Sequence, residues 1–280
     1  MNAIEMKHVS KTYGSFAIKD LNLTLPEGCI MGLVGENGAG KSTTIRLLMH
    51  SVTKEAGEIK VLGVDNTSKE FLGVREDVGV VLDEAYFPEV LNGWDVNKIM
   101  KHTYKNWEEE TFFRYLDQFH VERQKKFKDY SKGMKMKLAI AVALSHKAKL
   151  LILDEATGGL DPIVRDEILD IFNEFTREEG HSVLISSHIV SDLEKICDYV
   201  AFLHKGEIIL HEEKDRLQEI YGILRLGKRE AEEIPEEAVV GVRDNGYFKE
   251  ILVKREFLPE NYPIERAGME DIILYLAKGE

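Results

Sequence analysis

The stretch Gly35-Glu36-Asn37-Gly38-Ala39-Gly40-Lys41-Ser42 decides what kind of protein this 280-residue chain is. It fits the pattern G-x-x-x-x-G-K-[ST], in which the N–H groups of a glycine-rich loop and a helix N-terminus converge on phosphate oxygens. An apolar run at residues 30–34 precedes the loop, and residues 42–49 follow it with helical spacing. Strand, loop and helix are the context that the motif requires, so we predict a nucleotide-binding site. In that site Lys41 can reach the β- and γ-phosphates, and the Ser42 hydroxyl can hold Mg²⁺.

The amino-acid composition excludes several classes of protein. The 44% of hydrophobic residues is enough for a sizeable core, and no run approaches the roughly 18–20 apolar residues of a membrane span. The net charge of −13 disfavours a general nucleic-acid binder, so no nucleic-acid partner is expected. Cys29 and Cys197 both lie in apolar surroundings, which indicates reduced core positions. With no signal-peptide pattern at its N-terminus, the protein is expected in the cytoplasm.

Two apolar runs end in polar residues that suit phosphate chemistry. Residues 150–153 predict a central parallel strand buried on both faces, so the acids that follow should lie at a ligand-binding sheet edge. Asp154 is placed to organise Mg²⁺, and Glu155 to act as general base on the attacking water. The alternative is a pair of acids that caps the next helix. The run 182–187 ends at His188, which could contact a γ-phosphate.

The remaining segments predict the architecture around these strands. Residues 3–25 indicate antiparallel strands joined by a turn at 11–15, where Tyr13 could stack on adenine. Residues 86–130 hold 11 of the 24 aromatic residues in amphipathic helical spacing. Most of these rings should be core, and the rest could line a groove for a partner helix. Beyond residue 214 an acidic segment predicts a hairpin around 244–246 and a helix over 269–277.

In order along the chain, these motifs resemble the nucleotide-binding domain of ATP-binding cassette (ABC) transporters over roughly residues 3–212. The family's signature loop, usually Leu-Ser-Gly-Gly-Gln, is Tyr130-Ser131-Lys132-Gly133-Met134 here, which keeps the serine and the second glycine. The other matches are the phosphate loop, the Asp154-Glu155 pair, the adenine-stacking Tyr13, the D-loop Gly159-Leu160-Asp161 and the switch histidine His188.

The resemblance implies a phosphate-loop NTPase fold of the α/β class. It comprises a mostly parallel sheet with flanking helices, an antiparallel β subdomain, a helical subdomain at about 86–145 and a small C-terminal α/β appendage. The expected division is an ATPase domain at 1–214 and an accessory domain at 215–280. The appendage is similar to those of ABC-2-type exporter ATPases.

ATP and Mg²⁺ are the cofactors that the resemblance implies. The resemblance assigns catalysis to Glu155, His188 and Lys41. It assigns Mg²⁺ binding to Ser42, Asp83 and Asp154. The implied nucleotide contacts are Tyr13, Gly35, Asn37, Gly38, Ala39, Gly40, Lys41, Ser42 and Thr43, with Ser131, Gly133 and Asp161.

The resemblance also implies partners. Two ATPase subunits, identical or different, would close head-to-tail around two ATP molecules and drive a separate membrane-spanning permease, with residues 86–130 as the docking surface. The subunit would then lie on the inner face of the cell membrane, and export is favoured over import.

Two positions depart from the family pattern. Asp83 stands where the family usually carries the glutamine of the Q-loop; it can still bind Mg²⁺, but it is shorter and charged. Lys132 replaces the first glycine of the signature loop, which adds positive charge close to where the second subunit's γ-phosphate should lie.

Two other functions compete with the transporter interpretation. One is a soluble ABC ATPase that acts on a protein or nucleic-acid assembly; its translation-factor members carry two cassettes and its DNA-repair members carry long coiled coils, and both features are missing here. The other is a regulatory module with slow or no hydrolysis, which the presence of Asp154, Glu155 and His188 disfavours.

Overall fold

Three β-sheets organise residues 1–259 and 262–278, the part of the chain that this computed structural model describes. Their strands, in chain order, are β1 (Asn2–Tyr13), β2 (Phe16–Pro26), β3 (Ile30–Val34), β4 (Ala56–Val61), β5 (Val64–Asp65), β6 (Val78–Val81), β7 (Leu150–Asp154), β8 (Ser182–Ser187), β9 (Tyr199–His204), β10 (Glu207–Glu213), β11 (Tyr221–Leu226), β12 (Val239–Asp244), β13 (Lys249–Lys254) and β14 (Glu265–Arg266).

The helices, again in chain order, are α1 (Lys41–Leu48), α2 (Phe71–Val74), α3 (Gly93–Thr103), α4 (Glu109–Gln118), α5 (Lys132–Ala143), α6 (Pro162–Phe175), α7 (Val190–Ile196), α8 (Lys214–Ile220) and α9 (Met269–Lys278). Short 3₁₀ turns lie at Arg75–Asp77, Phe127–Asp129, Glu230–Glu233, Glu236–Ala238 and Arg255–Phe257. Within the described residues, no helix combines the length and the apolar character needed to cross a membrane.

The central sheet has the order β10-β9-β3-β8-β7-β6, and all its neighbouring strands are parallel except β9 and β10. Every residue of β3, β7 and β8 is buried, as the continuous apolar runs predict for parallel strands covered on both faces. The α/β fold class and the mostly parallel core are therefore confirmed. Because Val34 pairs with Ser187 and Asp154 with Ser186, the carboxyl ends of the three strands meet at one edge.

The antiparallel subdomain differs from the sequence prediction at the turn before β2. Its sheet has the order β2-β1-β4-β5, and β1 continues through Tyr13, where the sequence predicts a five-residue turn. Lys11 pairs with Ile18 and Tyr13 with Phe16, so only two residues, Gly14 and Ser15, form the loop. Gly14 has φ +54°, which a two-residue hairpin needs and glycine adopts without steric cost.

The aromatic segment folds into two helices, of which α4 packs on α5 and α3 packs on α4. Asn92 and Asp95 form a capping box at the start of α3. Phe112, in α4, is fully buried, and the Trp107 indole donates a hydrogen bond to Asn97 Oδ1 at 2.8 Å. Most of the aromatic rings are buried or half-buried, while Tyr86 and Trp94 are exposed.

The C-terminal residues form a third sheet with the order β12-β13-β11-β14, and α9 covers one of its faces. The predicted hairpin and helix are present, whereas β11 and β14 have no counterpart among the sequence predictions. Residues of α9 and β11 join the same buried cluster as Leu193 and Ile196 of α7. The appendage is thus packed against the helix that follows His188. Residues 260, 261, 279 and 280 of the predicted accessory domain lie outside the described residues.

A buried carboxylate ties this third sheet to α9. Glu250 accepts hydrogen bonds from Arg225 Nε at 2.8 Å and from the Tyr275 hydroxyl at 2.9 Å. Burial raises the pKa of Glu250, but the hydrogen bonds from Arg225 and Tyr275 outweigh it, and the net pKa lies below the ordinary value.

We expect Glu250→Gln to lower the free energy of unfolding by about 1 kcal/mol at pH 7. A carboxylate whose pKa is depressed by folding stabilises the protein above the unfolded-state pKa of roughly 4.3, and that contribution is lost as the pH falls through the folded-state value. The difference between wild type and variant should therefore shrink between pH 5 and pH 3, measured by urea unfolding.

Glu265→Gln is the matched control, because Glu265 pairs with the same Arg225 but is exposed. Its effect should stay below about 0.5 kcal/mol at pH 7. Equal effects of the two substitutions would contradict the role of the buried Glu250.

Candidate nucleotide-binding site

The loop between β3 and α1 has the conformation that a phosphate cradle needs. A Cβ atom on Gly35 would lie 2.5 Å from the Leu203 carbonyl oxygen, and one on Gly40 would lie 2.6 Å from Ile18 Cδ1. Gly40 also has φ +115°, so a larger residue is excluded at both positions. The first turn of α1 leaves its amide N–H groups without partners inside the helix, and they face the loop that precedes it.

Lys41 is the first residue of α1, and its side chain reaches back to this loop. Only 6% of its surface is exposed, and its Nζ donates a hydrogen bond to the Gly35 carbonyl oxygen at 2.7 Å. The same Nζ lies 3.2 Å from Glu155 Oε1. The lysine therefore links the phosphate loop to the end of β7.

Asp154 and Glu155 lie at the carboxyl end of β7, held by a serine of the neighbouring strand. Asp154 is 2% exposed, and its Oδ1 accepts a hydrogen bond from the Ser186 hydroxyl at 2.6 Å. The Ser186 hydroxyl oxygen in turn accepts a hydrogen bond from the Glu155 amide at 3.0 Å. Glu155 has φ +50°, a strained conformation for a residue other than glycine, and such strain is concentrated at functional sites.

His188 completes a continuous set of contacts. Its Nδ1 lies 2.6 Å from Glu155 Oε2, while the other oxygen of the same carboxylate faces Lys41. Lys41, Glu155 and His188 come from three separate segments that the parallel sheet brings together. The arrangement places a cation, a carboxylate and an imidazole around one small volume next to the phosphate loop.

The other predicted residues lie around this group. Tyr13 is 42% exposed at the end of β1, with Lys11 Nζ 5.4 Å from its ring centroid. Asp83 is exposed after β6, and its Oδ1 accepts a hydrogen bond from the Glu84 amide at 2.9 Å. The remaining loop residues keep their places in the cradle, with Asn37 and Gly38 exposed, Ala39 buried, and Ser42 and Thr43 partly buried at the start of α1.

The signature loop and the D-loop contact each other. Ser131 caps α5 by accepting a hydrogen bond from the Met134 amide at 3.2 Å, and Asp161 caps α6 through the Val164 amide at 3.1 Å. A Cβ atom on Gly133 would lie 3.5 Å from Leu160 Cδ2. The signature loop and the D-loop are therefore neighbours in the fold.

The sequence analysis missed the residues that hold the two acids in place. Ser186 bridges Asp154 and Glu155, and Thr157 donates a hydrogen bond to the buried Asp192 at 3.0 Å, which ties the segment after Glu155 to α7. The available signal for Ser186 was a polar residue directly after the apolar run 183–185. Its partner becomes evident only from the register of β7 and β8.

Comparison with known protein families identifies the family and the fold. The family model described as "ABC transporter" matches residues 18–158, which include the phosphate loop, the signature loop and the Asp154-Glu155 pair. The chain belongs to the ABC transporter family. Membership makes it an ATP-binding and ATP-hydrolysing subunit of a transporter.

Individual relatives give the same assignment. The chain is 33% identical over 209 residues to the bacitracin transport ATP-binding protein BcrA of Enterococcus faecalis, a match over 74% of this chain and 68% of that protein. It is 34% identical over 224 residues to the lantibiotic transport ATP-binding protein SrtF of Streptococcus pyogenes, over 78% of this chain and 95% of that protein. A solved ATP-binding subunit of an ABC transporter is similar with a TM-score of 0.70 and 26% identity, over 78% of this chain and 92% of that chain.

We expect Ser186→Ala to lower the ATPase rate by about tenfold or more, because both acids lose their common hydrogen-bonding partner. Asp154 would lose a buried hydrogen bond, and the Glu155 amide would keep only its 3.2 Å bond to the Ser186 carbonyl oxygen. The free energy of unfolding should therefore also fall, by about 1–3 kcal/mol. ATPase assays and urea unfolding measure the two effects.

Ser182→Ala is the matched control, because Ser182 is buried at the opposite end of the same strand and binds the Gly28 amide at 3.0 Å. Ser182→Ala should lower the free energy of unfolding by a similar amount but leave the ATPase rate within about twofold of wild type. If Ser182→Ala slowed ATP hydrolysis as much as Ser186→Ala, the role of Ser186 in positioning the acids would be wrong.

Proposed function

We propose that this chain is the ATPase subunit of an exporter and hydrolyses ATP with the Lys41, Glu155 and His188 group. The observation that carries the proposal is the single Glu155 carboxylate that faces Lys41 Nζ at 3.2 Å and His188 Nδ1 at 2.6 Å. The Lys41 ammonium group and the His188 imidazole can both bind phosphate oxygens, and the Glu155 carboxylate between them can accept a proton.

Each residue of the site takes a role in this mechanism. Lys41 binds the β- and γ-phosphate oxygens while the amides of the loop hold the rest of the phosphate chain. Glu155 accepts the proton of the attacking water, and His188 contacts the γ-phosphate and holds the Glu155 carboxylate in place. Tyr13 lies on an exposed strand end where an adenine ring can stack on it.

Mg²⁺ fits the oxygen donors at this edge of the sheet. The buried carboxylate of Asp154 and the hydroxyl of Ser42 are hard ligands of the kind that Mg²⁺ prefers, and Asp83 follows the next strand of the sheet, β6. Bound there, the ion would neutralise charge on the β- and γ-phosphate oxygens. We assign its binding to Ser42, Asp154 and Asp83.

We further propose that two ATPase subunits close around two ATP molecules. The signature loop with Ser131 and Gly133 lies next to the D-loop with Asp161, and together they would cover the nucleotide held on the second subunit's phosphate loop. Closure depends on ATP and hydrolysis reopens the pair, which is a ligand-driven population shift.

The partner that this cycle moves is a separate permease in the membrane, which would hold the subunit at the cytoplasmic face. The segment 86–130 is the proposed docking surface. Three large apolar side chains near its start are exposed, Tyr86 at 75%, Val90 at 66% and Trp94 at 46%, and Tyr86 also lines a cavity of about 710 Å³. Relatives named for bacitracin and lantibiotic transport support export of a compound of that general kind.

We propose that the chain divides into two domains after residue 214. Residues 1–214 contain every residue assigned to ATP, and residues 215–280 form the accessory domain. In that domain, the described residues fold into the third sheet and α9.

Glu155→Gln should reduce the ATPase rate by at least about 100-fold while ATP binding persists, because the amide cannot accept the proton of the attacking water. The variant should accumulate as an ATP-bound dimer, detected by sedimentation velocity with and without Mg-ATP. Glu58→Gln, on an exposed position of β4, is the matched control and should keep the wild-type rate. Hydrolysis by Glu155→Gln at the wild-type rate would rule out the general-base assignment.

A further inference from the structure

The end of the β1–β2 hairpin, which carries Tyr13, is anchored to the phosphate loop. Tyr13 pairs with Phe16 across the two-residue turn between the strands, so the two side chains are neighbours. The Phe16 ring in turn packs on the loop, because a Cβ atom on Gly40 would lie 2.8 Å from Phe16 Cζ. The Tyr13 ring therefore stands at the side of the loop that would hold the phosphates.

One face of the Tyr13 ring is already covered by a cation. Lys11 Nζ lies over the ring at 5.4 Å from its centroid, within the roughly 6 Å of a cation–π contact. Lys11 and Tyr13 are two residues apart in β1, so their side chains project from the same side of the strand. A ring with an ammonium group on one face offers its opposite face to a stacking partner.

Glu55 holds the lysine in this position. Its Oε1 accepts a hydrogen bond from Lys11 Nζ at 3.3 Å, and its Oε2 accepts one from the Thr12 amide at 3.2 Å. The pairing of β4 with β1 ends where Ala56 meets Ser10, and the Glu55 carboxylate continues it to the Thr12 amide. The hydrogen bonds from Thr12 and then from Lys11 lower the pKa of Glu55, so the carboxylate is charged at neutral pH.

We propose that Lys11, fixed by Glu55, is a positioning residue of the nucleotide site: it orders the Tyr13 ring and leaves one face of that ring open for the base. This inference rests on the adenine-stacking role of Tyr13 proposed above. A ring that is already ordered loses little conformational freedom when a base stacks on it, so base binding costs less. The phosphates stay with Lys41 and the phosphate loop, and Lys11 acts on the base alone.

The test measures binding of Mg-ADP and of Mg-tripolyphosphate to the full-length chain by isothermal titration calorimetry. ADP carries no γ-phosphate to hydrolyse, and tripolyphosphate offers phosphates without a base. We expect Lys11→Met to raise the Kd for ADP by about three- to fivefold and to leave the Kd for tripolyphosphate unchanged. Lys11→Arg, which keeps the cation, should restore most of the ADP affinity. Lys7→Met is the matched control, because Lys7 pairs with Glu5 on the same strand, away from Tyr13, and it should change neither constant.

Tyr13→Ala separates positioning of the ring from a direct effect of charge. It should raise the Kd for ADP by about tenfold. Lys11→Met added to Tyr13→Ala should cause no further change, because the lysine then has no ring to order.

Three results would overturn the inference: wild-type ADP affinity in Lys11→Met, a further loss of ADP affinity in the double variant, or an equal loss of tripolyphosphate affinity. The last two would mean that Lys11 attracts the nucleotide directly by its charge. Wild-type ADP affinity in Tyr13→Ala is a different outcome, because it would refute the stacking role of Tyr13 itself, and this inference with it.

Discussion

The contact between Lys41 and Glu155 is the interaction on which the rest of the site depends. It exists because β3 and β7 each pair in parallel with β8, so the residues after Val34 and Asp154 leave the sheet at the same edge. A shift of one residue in either pairing would turn every side chain of that strand to the opposite face. Continuous apolar runs bury all three strands and hold them in place, and the polar residues of the site appear where those runs end.

The strained backbone of Glu155 has a physical compensation nearby. A left-handed conformation costs a residue other than glycine about 1–2 kcal/mol, and the bonds around Glu155 offset it. Ser186 binds its amide, Lys41 and His188 face its two carboxylate oxygens, and Thr157 anchors the following turn to Asp192. The carboxylate is thereby aimed into the space beside the phosphate loop. A general base needs this kind of fixed geometry before its basicity matters.

The same packing connects the ATP site to the C-terminal sheet. Helix α7 begins two residues after His188, carries the buried Asp192 on one side, and shares its apolar face with α9. The chain after His188 therefore leads directly into a helix that the C-terminal residues also contact. Cys197 lies at the end of α7 and burial raises the pKa of its thiol, so it serves as a core residue of this junction.

The sequence by itself determined the family and the α/β class and predicted most residues of the proposed site, because a phosphate loop, a buried strand and a polar strand end are local patterns. Lys41, Asp154, Glu155 and His188 could all be named from such patterns. It did not reveal Ser186 as the link between two acids, because that link depends on the register of strands far apart in the chain. It also misplaced Tyr13, since hairpin pairing and not local propensity carried β1 to that residue. Only the tertiary structure decided that Glu55 holds Lys11 over the Tyr13 ring and that the C-terminal sheet shares a core with α7, because both depend on which segments pack together.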